Sequence, residues 1–256
     1  MVLVPLLFAP AVMAAASLIE RRLGPSAAGW VAALPVAFAV AVVAVSVDTT
    51  PHVAASMALS AAAHVGAQVV FGVVFAGVLR RWGLLLGAGS GVLAYLACSL
   101  LIPYVPAAIA VLLAVGALAV APRLMPAGEV QRGSARHWST TALTSFGAMV
   151  IVAAAVLSSR LAGPAIAGAI AAFPTMCATL TVAAVSRDGA TAGVHALTGL
   201  VRSLPCYLTF CLAVALGAPV AGLAAVGLGL LACLAAAGIT WRRIPIAAGP
   251  VLTTTA

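Results

Sequence analysis

The amino-acid sequence predicts an all-α fold: a polytopic bundle of transmembrane helices with almost no water-soluble part. Three observations lead to this prediction: a very apolar composition, a series of long apolar runs, and a motif that occurs twice. Hydrophobic residues make up 65% of the 256 residues and charged residues only 6%, whereas a soluble domain is typically about half apolar and about a quarter charged. Such a chain cannot cover itself with water-facing groups, so lipid is its expected solvent.

The apolar runs end at charges or at Gly and Pro, and they predict nine spans because about 20 apolar residues cross a bilayer. No positive charge precedes the first run and Arg21 and Arg22 follow it, so a helix is predicted there and not a cleaved signal peptide. Pro103 and Pro106 separate the fourth and fifth runs, at either a tight turn or a kink. The nine runs are 2–19, 24–47, 53–79, 83–102, 105–122, 140–160, 163–186, 190–216 and 219–240.

The arginines predict the orientation of the chain. With nine spans, most of them fall on one face of the membrane, and Arg160 falls on the other. Cytoplasmic loops carry an excess of positive residues, so the N-terminus is predicted outside and the C-terminus in the cytoplasm. Arg is the only basic residue type besides His, and Ala, Val and Gly are abundant, which is typical of a high-GC bacterial genome and favours the bacterial cytoplasmic membrane. The arginines on the cytoplasmic face are Arg21, Arg22, Arg80, Arg81, Arg123, Arg132, Arg136, Arg187, Arg242 and Arg243.

The predicted organisation is two transmembrane repeats of about five and four helices. The first repeat covers 1–122 and includes an extra helix at 105–122. A cytoplasmic linker loop follows at 123–139, and the second repeat covers 140–241. Residues 242–256 are predicted to form a cytoplasmic tail.

A duplicated motif predicts that the two repeats are inverted. Residues 24–35 and 163–174 both read Gly-Pro-x-x-Ala-Gly-x-x-Ala-Ala-x-Pro, and the two runs end near an acid, Asp48 and Asp188. The motifs open the second and seventh spans, which are an odd number of spans apart and therefore cross the membrane in opposite directions. Inverted-topology repeats are a hallmark of secondary transporters.

The second proline of each motif marks a candidate site near mid-membrane. Pro35 and Pro174 each remove a backbone donor and free a carbonyl about one turn earlier, near Val31 and Ile170. In lipid such groups must find partners or line a cavity, where helix-end dipoles could contact a solute or ion. The alternative is a plain kink that neighbouring helices relieve. Thr175 follows Pro174 and is a further candidate, unless its hydroxyl only bonds its own helix.

A polar stripe in the third span contains Ser60, His64 and Gln68, which recur at every fourth position and share one helix face. His64 could titrate near neutral pH and couple transport to protons. The alternative is that His64 is a satisfied packing residue.

A second stripe, in the eighth span, contains Thr198, Arg202 and Cys206. An offset of 138 residues superimposes the two stripes and pairs His64 with Arg202. An arginine at a helix centre is costly and usually faces the bundle interior, and an anionic substrate group could supply its counter-charge. The alternative is that Arg202 snorkels or bonds backbone carbonyls.

Several classes of function are not favoured. The basic residues form no stripe with aromatic residues, so no nucleic-acid partner is predicted. The five cysteines form no Cys-x-x-Cys pair, and neither a metal nor another cofactor is predicted. Enzymatic activity is not expected, because the four acids form no catalytic pair and no metal-hydrolase or nucleotide-binding motif occurs.

Residues 166–175, Ile-Ala-Gly-Ala-Ile-Ala-Ala-Phe-Pro-Thr, resemble the central motif of the GlpM-like family of small bacterial membrane proteins. Members of that family are single units of about four helices with a similar Leu-Ala-Gly…Phe-Pro-Thr run. In the first half, Leu34-Pro35-Val36 replaces Phe-Pro-Thr. The resemblance implies a duplicated and fused unit, and it supplies neither a substrate nor catalytic residues. The five-plus-four inverted plan is also similar to that of drug/metabolite exporters at the level of the fold.

Two functions follow from these patterns. The first is a secondary transporter or flippase that moves a small or lipid-linked substrate, which could be anionic, by alternating access and could couple this movement to protons. The second is a non-transporting accessory or assembly protein of an envelope pathway, which the scarcity of polar groups favours. The lipid bilayer is the expected surrounding in both cases, and assembly into a homo-oligomer is left open.

Overall fold

A computed structural model describes residues 23–126 and 163–242. The predicted spans 2–19 and 140–160, most of the linker loop and most of the tail lie outside the described residues. All regular structure within the described residues is helical, as predicted. The helices are α1 (Pro25–Ala32), α2 (Val36–Asp48), α3 (Pro51–Ala63), α4 (Val65–Trp82), α5 (Leu84–Leu101), α6 (Ala107–Leu124), α7 (Pro164–Ala172), α8 (Thr175–Asp188), α9 (Ala190–Ala221) and α10 (Ala224–Trp241).

Six stretches of the described chain are long and apolar enough to cross a membrane. Two of them combine successive helices, α3 with α4 and α7 with α8, and a third adds the 3₁₀ turn Ile102–Tyr104 to α5. The predicted run 24–47 instead contains the short helices α1 and α2, of 8 and 13 residues. The structure is therefore compatible with a membrane protein, and the count of nine spans stays a prediction.

The fourth and fifth predicted spans are separate helices. α5 ends at Leu101, a 3₁₀ turn follows, Val105 is extended, and Pro106 is the N-cap of α6. The break between them is thus a turn and not a kink, because the residue before a proline avoids helical dihedrals. α6 continues to Leu124, two residues beyond the predicted end at 122.

The helices differ in how much of their surface faces outward. α9 packs against α1, α3, α4, α8 and α10 and is largely buried, whereas α5, α6 and α10 expose many leucines. An exposed leucine-rich surface of this kind suits lipid better than water. Trp82 and Tyr104, 69% and 86% exposed, stand at the two ends of α5, as expected for aromatic residues at the two membrane–water interfaces.

Both motif prolines break their helix. Pro35 and Pro174 are the N-caps of α2 and α8. The connecting residues form equivalent bonds: Val36 N–H donates to the Leu34 carbonyl and Thr175 N–H to the Phe173 carbonyl, each at 2.8 Å. The i to i+4 ladder is therefore interrupted by a tight turn in both halves.

The carbonyls of Val31 and Ile170, which the sequence predicts to be freed, find partners in these turns. Val31 accepts the N–H of Leu34 at 3.2 Å, and Ile170 accepts the N–H of Phe173 at 3.1 Å. Each break thus satisfies by a local bond the acceptor that proline leaves without a donor.

Glycines allow α1 and α7 to lie against the long helices. A methyl group on Gly29 would overlap the carbonyl oxygen of Ala196 in α9. A methyl group on Gly168 would lie 2.5 Å from the carbonyl oxygen of Met57 in α3. Gly168 lies 139 residues after Gly29, and Ala196 lies 139 residues after Met57. The two contacts are therefore counterparts of each other.

The offset of 139 holds across the described fold. The stretches Pro51–Trp82 and Ala190–Ala221 are both 32 residues long and begin 139 residues apart. Gly24 and Gly83 have positive φ, as do their counterparts Gly163 and Gly222. The predicted offset of 138 is wrong by one residue, because it was based on matching polar stripes and not on the helix ends. Gln68 therefore corresponds to Tyr207, and His64 does not correspond to Arg202.

Contacts along the helices give their relative directions. α1 followed by α2 advances in the same direction as α9, because Gly29 lies at Ala196 and, further along both, the ring of Phe38 lies 6.0 Å from that of Phe210. α7 and the break after it advance in the same direction as α3 followed by α4, because Gly168 lies at Met57 and the ring of Phe173 lies 5.8 Å from that of Phe71. α4 runs antiparallel to α9, since Gly72 faces Val201 and Gly193 faces Leu79.

Candidate functional site

The two helix breaks meet at one cavity of about 80 Å³. It is lined by the end of α1, the beginning of α2, the end of α7 and the beginning of α8, together with residues from α4 and α9. Both halves of the described chain thus contribute equivalent segments to the same space. The lining residues are Ala32, Ala33, Leu34, Pro35, Phe38, Ala41, Gln68, Ala171, Ala172, Phe173, Pro174, Thr175, Met176, Cys177, Leu200 and Tyr207.

Two polar side chains of this lining have buried atoms without hydrogen-bond partners. Gln68 is 2% exposed and Tyr207 is 6% exposed. Within residues 23–126 and 163–242, neither Nε2 of Gln68 nor the hydroxyl of Tyr207 forms a hydrogen bond of good geometry, although the two side chains are near enough to interact with each other. A buried polar group without a partner costs about 1–3 kcal/mol, so two of them at one cavity mark it as the candidate site. They occupy equivalent positions in α4 and α9.

The first turns of α2 and α8 also face the cavity. Pro35 and Pro174 form the N-caps, and neither cap has a side-chain hydrogen bond. A helix N-terminus carries about half a positive charge, and its first N–H groups lack partners within the helix. Proline has no side-chain acceptor, so it cannot cap these groups as Ser or Asp would.

No charged side chain lines the cavity in the part of the chain that the structure describes. The potential inside it therefore comes from helix ends and neutral dipoles. Thr175 contributes a hydroxyl that donates to the Phe173 carbonyl at 3.3 Å. The rest of the lining is apolar and includes Phe38 and Leu200, and apolar surroundings of low dielectric constant strengthen electrostatic interactions.

Four predicted site residues line this cavity: Gln68, Pro35, Pro174 and Thr175. Four others do not. Ser60 donates to the Ala165 carbonyl at 2.6 Å, which ties α3 to α7, and Thr198 donates to the Val194 carbonyl of its own helix at 2.8 Å. Arg202 is half-buried in α9.

His64 is buried at the junction between α3 and α4. Its Nδ1 lies 2.7 Å from the Ser60 carbonyl oxygen, and because a carbonyl only accepts, Nδ1 carries the proton. This bond competes with the backbone ladder and accounts for the local distortion at residue 64. The imidazole ring lies 6.5 Å from that of Tyr95. The coupling roles of His64 and Arg202 stay predictions.

The acids lie at helix ends, as predicted: α2 ends at Asp48 and α8 ends at Asp188. From their places in a loop or near a helix end, His52 and His195 are expected to be solvated. His52 is exposed at the beginning of α3, but His195 is buried in α9 at 4% exposure. His195 lies only five residues inside that helix, but α8 packs on this part of α9, where Gly193 faces Val185 and Thr181.

The cysteines do not form a site of their own. All five are free, and within the described ranges no group of three His, Cys, Asp or Glu side chains could hold a metal ion. Cys206 lies 3.2 Å from the Thr240 hydroxyl. Cys177 reaches the Ala196 carbonyl at 3.7 Å, so its thiol is directed towards α9.

Tyr207 is the main site residue that the sequence reasoning missed. An aromatic residue in an apolar helix is ordinary, and the offset of 138 paired Gln68 with Cys206. The offset of 139, already present in the duplicated motif, pairs Gln68 with Tyr207. The helix breaks could be predicted because Pro35 and Pro174 occupy the same position of the duplicated motif. Matching prolines are rare by chance, whereas matching Ala and Gly residues are common in this sequence.

We expect two tyrosine-to-phenylalanine substitutions to have opposite effects on stability. The Tyr95 hydroxyl donates to the Ala169 carbonyl at 2.7 Å, so Tyr95→Phe leaves a buried acceptor unpaired and should lower the free energy of unfolding by about 1–3 kcal/mol. Tyr207→Phe removes an unpartnered hydroxyl and should leave this free energy unchanged or raise it. Unfolding in mixed detergent–SDS micelles measures both, and a larger loss for Tyr207→Phe would contradict the assignment.

No family model, curated protein or solved structure matches this chain in sequence or structure comparisons. The resemblance of residues 166–175 to the GlpM-like family therefore rests on the motif alone. The function has to be inferred from the cavity and the two helix breaks.

Proposed function

We propose that this protein is a secondary transporter that moves a small solute across the bacterial cytoplasmic membrane by alternating access. The observation that carries the proposal is the cavity between the two broken helices. Its two unpartnered polar groups, Gln68 and Tyr207, provide binding capacity at the point where equivalent segments of both halves meet. Discontinuous helices at a repeat interface are the usual substrate site of secondary transporters.

An inverted repeat is part of the proposal. The counterpart of α4 is the second part of α9, and these two run antiparallel, as the contacts of Gly72 with Val201 and of Gly193 with Leu79 indicate. Equivalent helices that run in opposite directions are related by an axis in the membrane plane. The proposed topology keeps nine spans, with the N-terminus outside and the C-terminus in the cytoplasm.

The reciprocal glycine contacts suggest how the halves could move. The broken helix of each half packs on the long helix of the other, through Gly29 on Ala196 and Gly168 on Met57. Smooth backbone-to-backbone contacts permit small sliding and rocking motions without unpacking large side chains. Two similar halves that exchange conformations would open the cavity to one face and then to the other.

The size of the cavity favours a small solute over a lipid. About 80 Å³ is room for a solute of only a few heavy atoms. A flippase would need a groove long enough for a headgroup and open to the bilayer at its side. The accessory-protein alternative is favoured by the apolar character of most of the lining, and it predicts no solute movement.

Release from liposomes tests the proposal. The purified protein is reconstituted into vesicles that hold labelled lactate, erythritol or choline, which represent an anion, a neutral solute and a cation. We expect at least one of the three to leave about tenfold faster than from protein-free vesicles. Rates equal to those of protein-free vesicles, with all three solutes, would favour the accessory-protein alternative.

A further inference from the structure

We propose that the cavity between the two helix breaks binds a small monovalent anion, of the size and chemistry of a short carboxylate. This inference rests on the proposed transport function and deepens it by naming the class of substrate. Four features carry it: two unpartnered donors, two helix N-termini, the use of the local carbonyls, and the absence of charged side chains from the described lining.

The unpartnered groups at the cavity are donors. Nε2 of Gln68 carries two N–H bonds and the Tyr207 hydroxyl carries one O–H, and both are buried without a partner among the described residues. Nε2 of Gln68 requires an acceptor, and the Tyr207 hydroxyl, which can also accept, is able to donate to one. The two oxygens of a carboxylate provide two adjacent acceptors, and one residue from each half could donate to each of them.

The helix N-termini add positive potential. The beginnings of α2 and α8, at Pro35 and Pro174, both line the cavity. Each N-terminus is equivalent to about half a positive charge, and the ends of α1 and α7 in the same lining carry the opposite partial charge. The helix ends therefore offer at most about one positive charge to a ligand, and a divalent anion would leave an uncompensated charge in an apolar environment, which is costly.

Several carbonyls at the breaks are already engaged in hydrogen bonds, which weakens the negative potential of these helix ends. Four of them accept bonds from the turn residues: Gly29, Val31, Leu34 and the Ile170 carbonyl. The Phe173 carbonyl accepts both the N–H and the hydroxyl of Thr175. These five acceptors are thus engaged. The proline caps offer no side-chain acceptor to the first-turn N–H groups that follow Val36 and Thr175. Together with Nε2 of Gln68, these donors favour an anion over a cation.

Binding can be tested without knowledge of the natural substrate. The probes are sodium acetate and acetamide, which have nearly the same shape but differ in charge, at constant ionic strength. We expect acetate to raise the unfolding temperature of the detergent-purified protein by about 2 °C or more at saturating concentration, and acetamide to have no effect. Equal shifts with acetate and acetamide, or a shift with acetamide alone, would overturn the anion assignment.

Variants of Gln68 and Tyr207 connect this shift to the cavity. Tyr207→Phe, which keeps the shape of the side chain, should reduce the acetate shift by at least half. Gln68→Glu places a negative charge in the same volume and should abolish the acetate shift. Thr198→Val, outside the cavity, is the matched control and should show the full acetate shift. An acetate shift that survives in both cavity variants would place the anion elsewhere.

The liposome experiment separates this inference from the transport proposal. If lactate is released and choline is not, the transport proposal and the anion assignment are both supported. If choline or erythritol is released and lactate is not, the protein is a transporter but the anion assignment is wrong. If acetate binds and Gln68→Glu abolishes this binding, but none of the three solutes is released from liposomes, the anion site is supported and the transport proposal is wrong.

Discussion

Replacing Gly29 by alanine should destabilise the protein strongly, although the change adds only one methyl group. That methyl group would overlap the carbonyl oxygen of Ala196, and a backbone atom cannot rotate away as a flexible side chain can. Overpacking of this kind costs about 1–3 kcal/mol. Gly168→Ala, at the equivalent position beside Met57, should cause a similar loss. The free energy of unfolding in mixed detergent–SDS micelles is the measurement.

A control for this prediction lies in α4. Nothing lies within 4 Å of a methyl group added to Gly77, and alanine is favoured over glycine within a helix by about 0.5–1 kcal/mol. Gly77→Ala should therefore leave stability unchanged or raise it. If Gly29→Ala and Gly77→Ala had the same effect, close packing of α1 on α9 would not contribute to stability.

Replacing Gln68 by leucine should reduce solute release about tenfold or more and leave the protein folded. The substitution removes an unpartnered amide and fills its volume with an apolar side chain, so it should be neutral or stabilising in the absence of solute. It also removes one of the two donors that the transported solute would use. Release rates from liposomes and unfolding in detergent, measured on the same preparation, separate the two effects.

Thr198→Val provides the comparison for Gln68→Leu. Thr198 belongs to the stripe predicted in the eighth span, but its hydroxyl bonds its own helix and the residue does not line the cavity. We expect this variant to keep most of the wild-type release rate. Normal release by Gln68→Leu, or a loss with Thr198→Val alone, would mean that solute does not pass through this cavity.

The sequence contained enough information to predict the fold class and the helix breaks. An apolar composition makes lipid the expected solvent, and proline in an apolar helix interrupts the backbone ladder. The motifs at 24–35 and 163–174 also predicted that the breaks are equivalent. Because these features depend on local chemistry and on composition, they could be predicted from one sequence.

The composition of the site was harder to predict. Ser60, His64 and Gln68 share a helix face, but of the three only Gln68 lines the cavity. Which of them reaches it depends on how α7 crosses α3, where the Ser60 hydroxyl binds the Ala165 carbonyl. Tyr207 was missed because its apolar ring suits a lipid-facing position as well as a cavity. Only the packing of α9 against α2 and α4 distinguishes the two.

Accessibility of the two helix breaks to water from both faces of the membrane tests the central claim most directly. Leu34→Cys and Phe173→Cys, each in a cysteine-free background, are treated with a membrane-impermeant thiol reagent in right-side-out and in inverted vesicles. Leu112→Cys, exposed on α6, is the lipid-facing control and should stay unlabelled. The proposed alternating access predicts that both break positions are labelled from either face. Protection of both positions in both vesicle orientations would contradict it, because the breaks would then be dry helix packing.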